Sequence, residues 1–129
     1  MNFLRRVWSA ESILRITLGL MYLYSGIDII RYPTAWFWAV RALPTQILDI
    51  INKIGMKEFL IGQGVVELLI AAALLIWFVP KKWVRLAALL SSVEMILILL
   101  MVGIDAVTFR DIGLIGSGFA IYQLSKRNY

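Results

Sequence analysis

The sequence predicts an all-α integral membrane protein, a four-helix bundle with an amphipathic interfacial helix between helices 1 and 2. Three observations carry this prediction. Of 129 residues, 61% are hydrophobic and 16% charged, and the mean hydropathy is +0.84, which leaves too few charges to keep the surface of a soluble domain wet. Four apolar stretches and their connections use most of the chain, and a stretch of about 20 apolar residues crosses the ~30 Å hydrocarbon layer. The charges collect between these stretches, where they set topology. The chain reads as a single transmembrane domain over 1–129.

The first span covers about 11–30. It follows Arg5 and Arg6 and lacks a small-x-small cleavage site, so it reads as an uncleaved helix rather than a signal peptide. The outer connection, 31–56, is not a plain loop. Trp36, Phe37 and Trp38 look like interfacial aromatics. Between Thr45 and Ile54, helical spacing puts Ile47, Leu48, Ile50, Ile51 and Ile54 on one face and Gln46, Asp49, Asn52 and Lys53 on the other. Lys53 followed by Gly55 is a reasonable helix end. Such a helix fits either on the outer membrane surface or as a rigid lid packed on the bundle.

The second span, about 58–79, stops at Pro80-Lys81-Lys82, and the third covers about 83–104. The fourth, about 109–124, is the weakest. Its uninterrupted apolar part, Ile112 to Leu124, reaches only about 20 Å at the helical rise. Arg110 and Asp111 must then sit in the outer interface, or the bilayer must thin.

Topology follows from Lys and Arg. Arg5, Arg6, Lys81, Lys82, Arg85, Lys126 and Arg127 share one side, against Arg31, Arg41, Lys53, Lys57 and Arg110 on the other. Seven against five favours N- and C-termini on the cytoplasmic side of the inner (cytoplasmic) membrane. The net charge of +5 is therefore assigned to lipid headgroups, not to nucleic acid. The chain contains neither Cys nor His. Thiol–disulfide exchange, thiolate metal sites and His-ligated haem all require residues it lacks, so no metal and no covalently bound cofactor is expected.

Ionisable groups inside hydrocarbon are costly and need a reason. Glu67 lies ten residues into the second span, which enters from outside. Glu94 lies eleven residues into the third, which enters from inside. Both carboxyls thus arrive about 15 Å deep. With Arg15, Gln63 and Ser91 they form the candidate intramembrane polar site. One reading pairs either glutamate with Arg15, purely to fix helix packing. In a second, the carboxyls hold a proton or bind a quinol hydroxyl, since the neutral form is the cheaper one away from water. A third makes them the seat of a transported cation. Gln63 precedes Glu67 by one turn and Ser91 precedes Glu94 by three residues, so each carboxyl has a candidate hydrogen-bond partner.

Two stripes read as packing signals: Arg15, Gly19, Tyr22 and Gly26 in the first span, and Gly113, Gly116, Ser117 and Ala120 in the fourth. At the outer ends, Asp28, Arg31, Asp105, Arg110 and Asp111 are expected to meet, either as an interfacial salt-bridge network or as the mouth of a site roofed by the aromatic segment.

Residues 15–26, RITLGLMYLYSG, followed by Pro33, resemble the opening helix of DoxX-like membrane proteins. That group includes the small DoxD-type subunit of thiosulfate:quinone oxidoreductases. Gly64-Val-Val-Glu67 resembles the family's Gly-x-x-Glu, and residues 110–116, RDIGLIG, resemble the start of its last helix. Members often carry a Lys three residues after the glycine matching Gly26, where this chain has Ile29; Arg31 is the nearest charge. The resemblance implies a four-helix protein associated with membrane redox systems. The expectation is a non-catalytic accessory subunit of a quinone-linked or respiratory oxidoreductase complex, in contact with lipid and with other membrane subunits. The alternatives are a small proton-coupled transporter using Glu67 and Glu94, and a stand-alone quinone- or lipid-binding protein.

Overall fold

The computed structural model describes residues 9–103 and 111–127. Among them the chain is all-helical, with α1 Ala10–Arg31, a 3₁₀ turn Pro33–Trp36, α2 Phe37–Arg41, α3 Thr45–Ile54, α4 Met56–Leu75, α5 Lys81–Val102 and α6 Asp111–Arg127. Arg5, Arg6, Asp105 and Arg110, which entered the reading of topology and of the outer cluster, lie outside the described residues.

Local chemistry sets the boundaries. The Ser9 hydroxyl caps α1 by accepting from the Ser12 N–H at 3.2 Å, filling a donor that a helix start leaves open. Tyr32 closes that helix by donating its N–H to Asp28 O at 2.9 Å, and Pro33 begins the 3₁₀ turn. Gly55 separates α3 from α4 at φ 110, a conformation that strains any residue with a Cβ. Gly103 ends α5 in the same way at φ 85. The sequence places α3 and its ends correctly. It carries the second span to residue 79, whereas α4 stops at Leu75 and Ile76 is extended (φ −81, ψ 121). The third helix starts two residues earlier than expected, at Lys81 behind Pro80.

The helices pack in a closed order: α1 lies against α4 and α6, and α5 lies against α4 and α6. The core joining them contains Leu18, Tyr22, Ile70, Leu74, Val84, Ala88, Met95 and Ile121. Glycine makes two of these crossings tight. A Cβ on Gly26 would stand 3.0 Å from Gly64 O, and one on Gly64 would stand 3.0 Å from Gly26 O, so α1 and α4 meet backbone to backbone. A Cβ on Gly118 would stand 2.8 Å from Ala88 O, so α5 and α6 cross equally closely.

The packing face of α6 differs from the predicted stripe. Gly118, Ile121 and Ser125 are buried, while Gly113 and Gly116 are exposed with nothing near their missing side chains. The stripe on α1 is as expected: Arg15, Gly19, Tyr22 and Gly26 are all buried.

Helices α1, α4 and α5 are long and apolar enough to cross a membrane, and only 33% of each apolar window is buried inside the protein. The remainder presents Leu20, Tyr24, Leu69, Leu90 and Leu100 outward, more contiguous apolar surface than water tolerates, so lipid is the environment that fits. Among the described residues α6 covers 17 positions and is not one of these three.

A second core ties α3 to α1 and α4. Ile51 is buried with Ile29, Val40 and Leu60, and Trp36, Phe37, Ile47, Leu48 and Phe59 pack around them. The packing expected of a lid is present. The apolar face of α3 is nevertheless split, because Ile50 (59% exposed) and Ile54 (60%) face away from the protein.

Candidate functional site

The close approach at Gly26 and Gly64 builds the site. Ser25 precedes the first glycine and Glu67 follows the second by three residues, so the crossing carries the Ser25 hydroxyl to the Glu67 carboxyl. On α4, Gln63 lies one turn before Glu67 and also reaches its carboxyl. From α5, Glu94 completes the set: the Gln63 amide donates to Glu94 Oε1, and the two carboxyls lie within hydrogen-bonding reach of each other. The coincidence in depth read from the sequence thus corresponds to side chains that meet.

Burial of this group is deep. Glu67 is 6% exposed, and Glu67 Oε2 and Glu94 Oε2 are both buried without a hydrogen-bond partner. Two carboxylates are acceptors only and cannot satisfy each other unless one carries a proton. An uncompensated pair of charges at such a place is strongly unfavourable. The arrangement is chemically suited to holding a proton, or a ligand that brings positive charge or a hydrogen-bond donor.

Two of the predicted site residues belong elsewhere. Arg15 pairs with neither glutamate. Because α4 ends early, its last carbonyls lack helical partners. The guanidinium takes them instead, donating to Leu74 O at 2.9 Å, Ile76 O at 3.1 Å and Ala73 O at 3.5 Å. A cation is also favoured there by the negative end of the helix dipole. Trp77 stacks under it at 5.1 Å, and Glu11 Oε1 lies 3.9 Å away. Leu74 is seven residues beyond Glu67, about 10 Å along the axis, so Arg15 marks the end of the helix and not the site. Ser91 does not serve Glu94 either. Its hydroxyl bonds the Tyr22 hydroxyl at 2.9 Å, and Tyr22, fully buried, stands within electrostatic range of both glutamates.

Sequence reasoning missed Ser25 and Tyr22 as neighbours of the pair: Tyr22 belongs to a stripe read as packing, and Ser25 was assigned no role. The available signal was two hydroxyl side chains three residues apart in an apolar span. It also missed a polar junction at the α1 N-terminus, where Glu11 accepts from Lys81 and from the Ser125 hydroxyl at 3.0 Å, joining α1, α5 and α6. Lys81 had been counted only as a topology charge.

Of the expected outer cluster, Asp105 and Arg110 lie outside the described residues, and Asp28 and Arg31 are placed near each other. Asp28 accepts from Trp36 Nε1 at 2.8 Å, while the Arg31 guanidinium lies over the Tyr32 ring at 5.5 Å. Both line a shallow surface pocket with Tyr24, Ile27 and Tyr32. Asp111, at the start of α6, contributes negative charge at Glu94. The aromatic segment is anchored rather than loose: Trp36 stacks with Trp38 at 6.3 Å, and Phe37 packs into the second core.

No family model matches this chain, and no curated protein or solved structure matches it.

Proposed function

We propose that the chain is a multi-pass protein of the cytoplasmic membrane in which α1, α4, α5 and α6 form a transmembrane bundle, both termini cytoplasmic and α3 at the outer interface. In this reading it is a small DoxX-like accessory subunit of a quinone-linked or respiratory redox complex, and its task is to hold and pass a proton. The supporting observation is the Glu67–Glu94 pair, buried, joined by Gln63 and left with one unpartnered oxygen on each carboxyl. Reduction of a quinone consumes protons as well as electrons, and an unpartnered carboxylate oxygen accepts either a proton or a quinol hydroxyl. With neither Cys nor His in the chain, the electron-carrying groups are assigned to a partner subunit.

Extraction from native membranes under lipid-preserving conditions, followed by mass spectrometry, tests this. A copurifying redox subunit and bound quinone are expected, with Glu67→Gln lowering quinone-linked proton uptake by about tenfold or more. A chain that stays alone, without quinone, under all gentle conditions overturns the proposal.

The convergence of the two carboxyls also supports a second reading, a proton-coupled transporter. Its test is pH-driven flux into proteoliposomes. Flux abolished by Glu67→Gln and Glu94→Gln favours transport, and flux unchanged by both removes it.

A further inference from the structure

We infer that the Glu67–Glu94 pair binds a monovalent cation in competition with protons, an inference that rests on the pair being the working site. The case begins with two facing acceptors. Glu67 Oε2 and Glu94 Oε2 are buried with no partner, and Glu67 itself is almost wholly enclosed, at 6% exposure. One shared proton would join the two carboxyls and still leave a single negative charge in the interior.

The described neighbours do not neutralise that charge. Arg15 is held at the end of α4 by the carbonyls of Leu74 and Ile76, and Lys81 is held by Glu11. Facing the pair are the hydroxyls of Tyr22 and Ser25 and the amide of Gln63, all uncharged, while Asp111 deepens the negative field at Glu94. One more positive charge completes the balance. A singly charged ion beside one retained proton makes the site neutral.

The donors select the kind of ion. Carboxylate and hydroxyl oxygens suit a hard cation. Calcium takes about six to eight oxygens, and magnesium takes an octahedron that keeps several waters; both exceed what two carboxyls and the Ser25 hydroxyl supply. Sodium is the probe of choice.

Equilibrium binding of radiolabelled sodium to the full chain in detergent tests the inference. Saturable binding is expected at about pH 8, weakening about tenfold for each unit of acidification as a proton takes the ion's place. Replacing both carboxyls, Glu67→Gln with Glu94→Gln, is expected to abolish it, whereas Glu58→Gln, on the exposed start of α4, leaves it intact. Circular dichroism and size exclusion establish that the variants fold. Glu67→Asp, which keeps the charge but withdraws it, is expected to weaken binding about tenfold. Absence of sodium binding in the unaltered chain, binding unchanged when both glutamates are replaced by Gln, or full displacement by equimolar calcium overturns the inference. An infrared band of a protonated carboxyl that disappears in Glu67→Gln, without any sodium binding, would overturn the cation site while leaving the proton-holding pair. Loss of both signals would remove the pair as the working site.

Discussion

Replacing Arg15 by Met tests how the C-terminal end of α4 is held, and separates that role from the site. The side chain is 3% exposed and gives α4 two well-formed bonds, to Leu74 O at 2.9 Å and Ile76 O at 3.1 Å, plus a long one to Ala73 O at 3.5 Å. A hydrogen bond from a charged donor contributes about 1.5–3 kcal/mol in water-soluble proteins, but side-chain bonds in membrane proteins average nearer ~0.6 kcal/mol. Methionine keeps the aliphatic volume, so little of the cost is cavity. Counting the two good bonds at about 1.5 kcal/mol each gives a loss of about 3 kcal/mol, with the lower scale setting a floor near 1 kcal/mol. Reversible unfolding in mixed micelles, followed by tryptophan fluorescence, reads this directly, because Trp77 lies against the guanidinium at 5.1 Å. Proton or ion binding at Glu67 and Glu94 should persist in the folded variant. A loss below about 0.5 kcal/mol would refute the capping role. Disappearance of binding with the fold intact would return Arg15 to the site.

Further expectations follow from packing. Gly64→Val places a branched side chain where even a Cβ stands 3.0 Å from Gly26 O, and it should cost about 2 kcal/mol or more in the same unfolding assay. Its exposed counterpart, Gly113→Ala, should stay within about 0.5 kcal/mol of the parent, since nothing surrounds that position. Ile51→Ala should lose about 2 kcal/mol or more, whereas Ile50→Ala, at 59% exposure, should change little; equal losses would contradict the orientation of α3. Trp36→Phe removes the donor to Asp28 and should cost about 1 kcal/mol, measurable by thermal unfolding in detergent.

Helix positions were legible because apolar runs of membrane length have few alternative structures, and because Gly55 and Pro80 punctuate them. What composition could not reveal was where backbone carbonyls would be left open. The early stop at Leu75 redirected Arg15, and only the packed structure exposes that demand. The depth of Glu67 and Glu94 could be counted along each helix at a fixed rise, so their meeting was partly visible. Their azimuth was not, because it depends on the Gly26–Gly64 crossing and on how α5 turns against α4. The stripe on α6 failed for the same reason: Gly113 and Gly118 are equally small, and only contact with Ala88 and Ser92 determines which one is buried. The aromatic segment is legible as the run Trp36, Phe37 and Trp38, but its fixed geometry comes from a bond between Trp36 and Asp28 that spans eight positions.

Proximity of the two carboxyl positions is open to direct measurement, because the chain has no native Cys to confuse the result. Glu67→Cys combined with Glu94→Cys, treated in native membranes with a short-spacer thiol cross-linker, should give an internally bridged product in high yield. Arg15→Cys combined with Glu94→Cys should give little. A bridged product from the Arg15 combination, and none from Glu67 with Glu94, would mean that the carboxyls do not share one interior site.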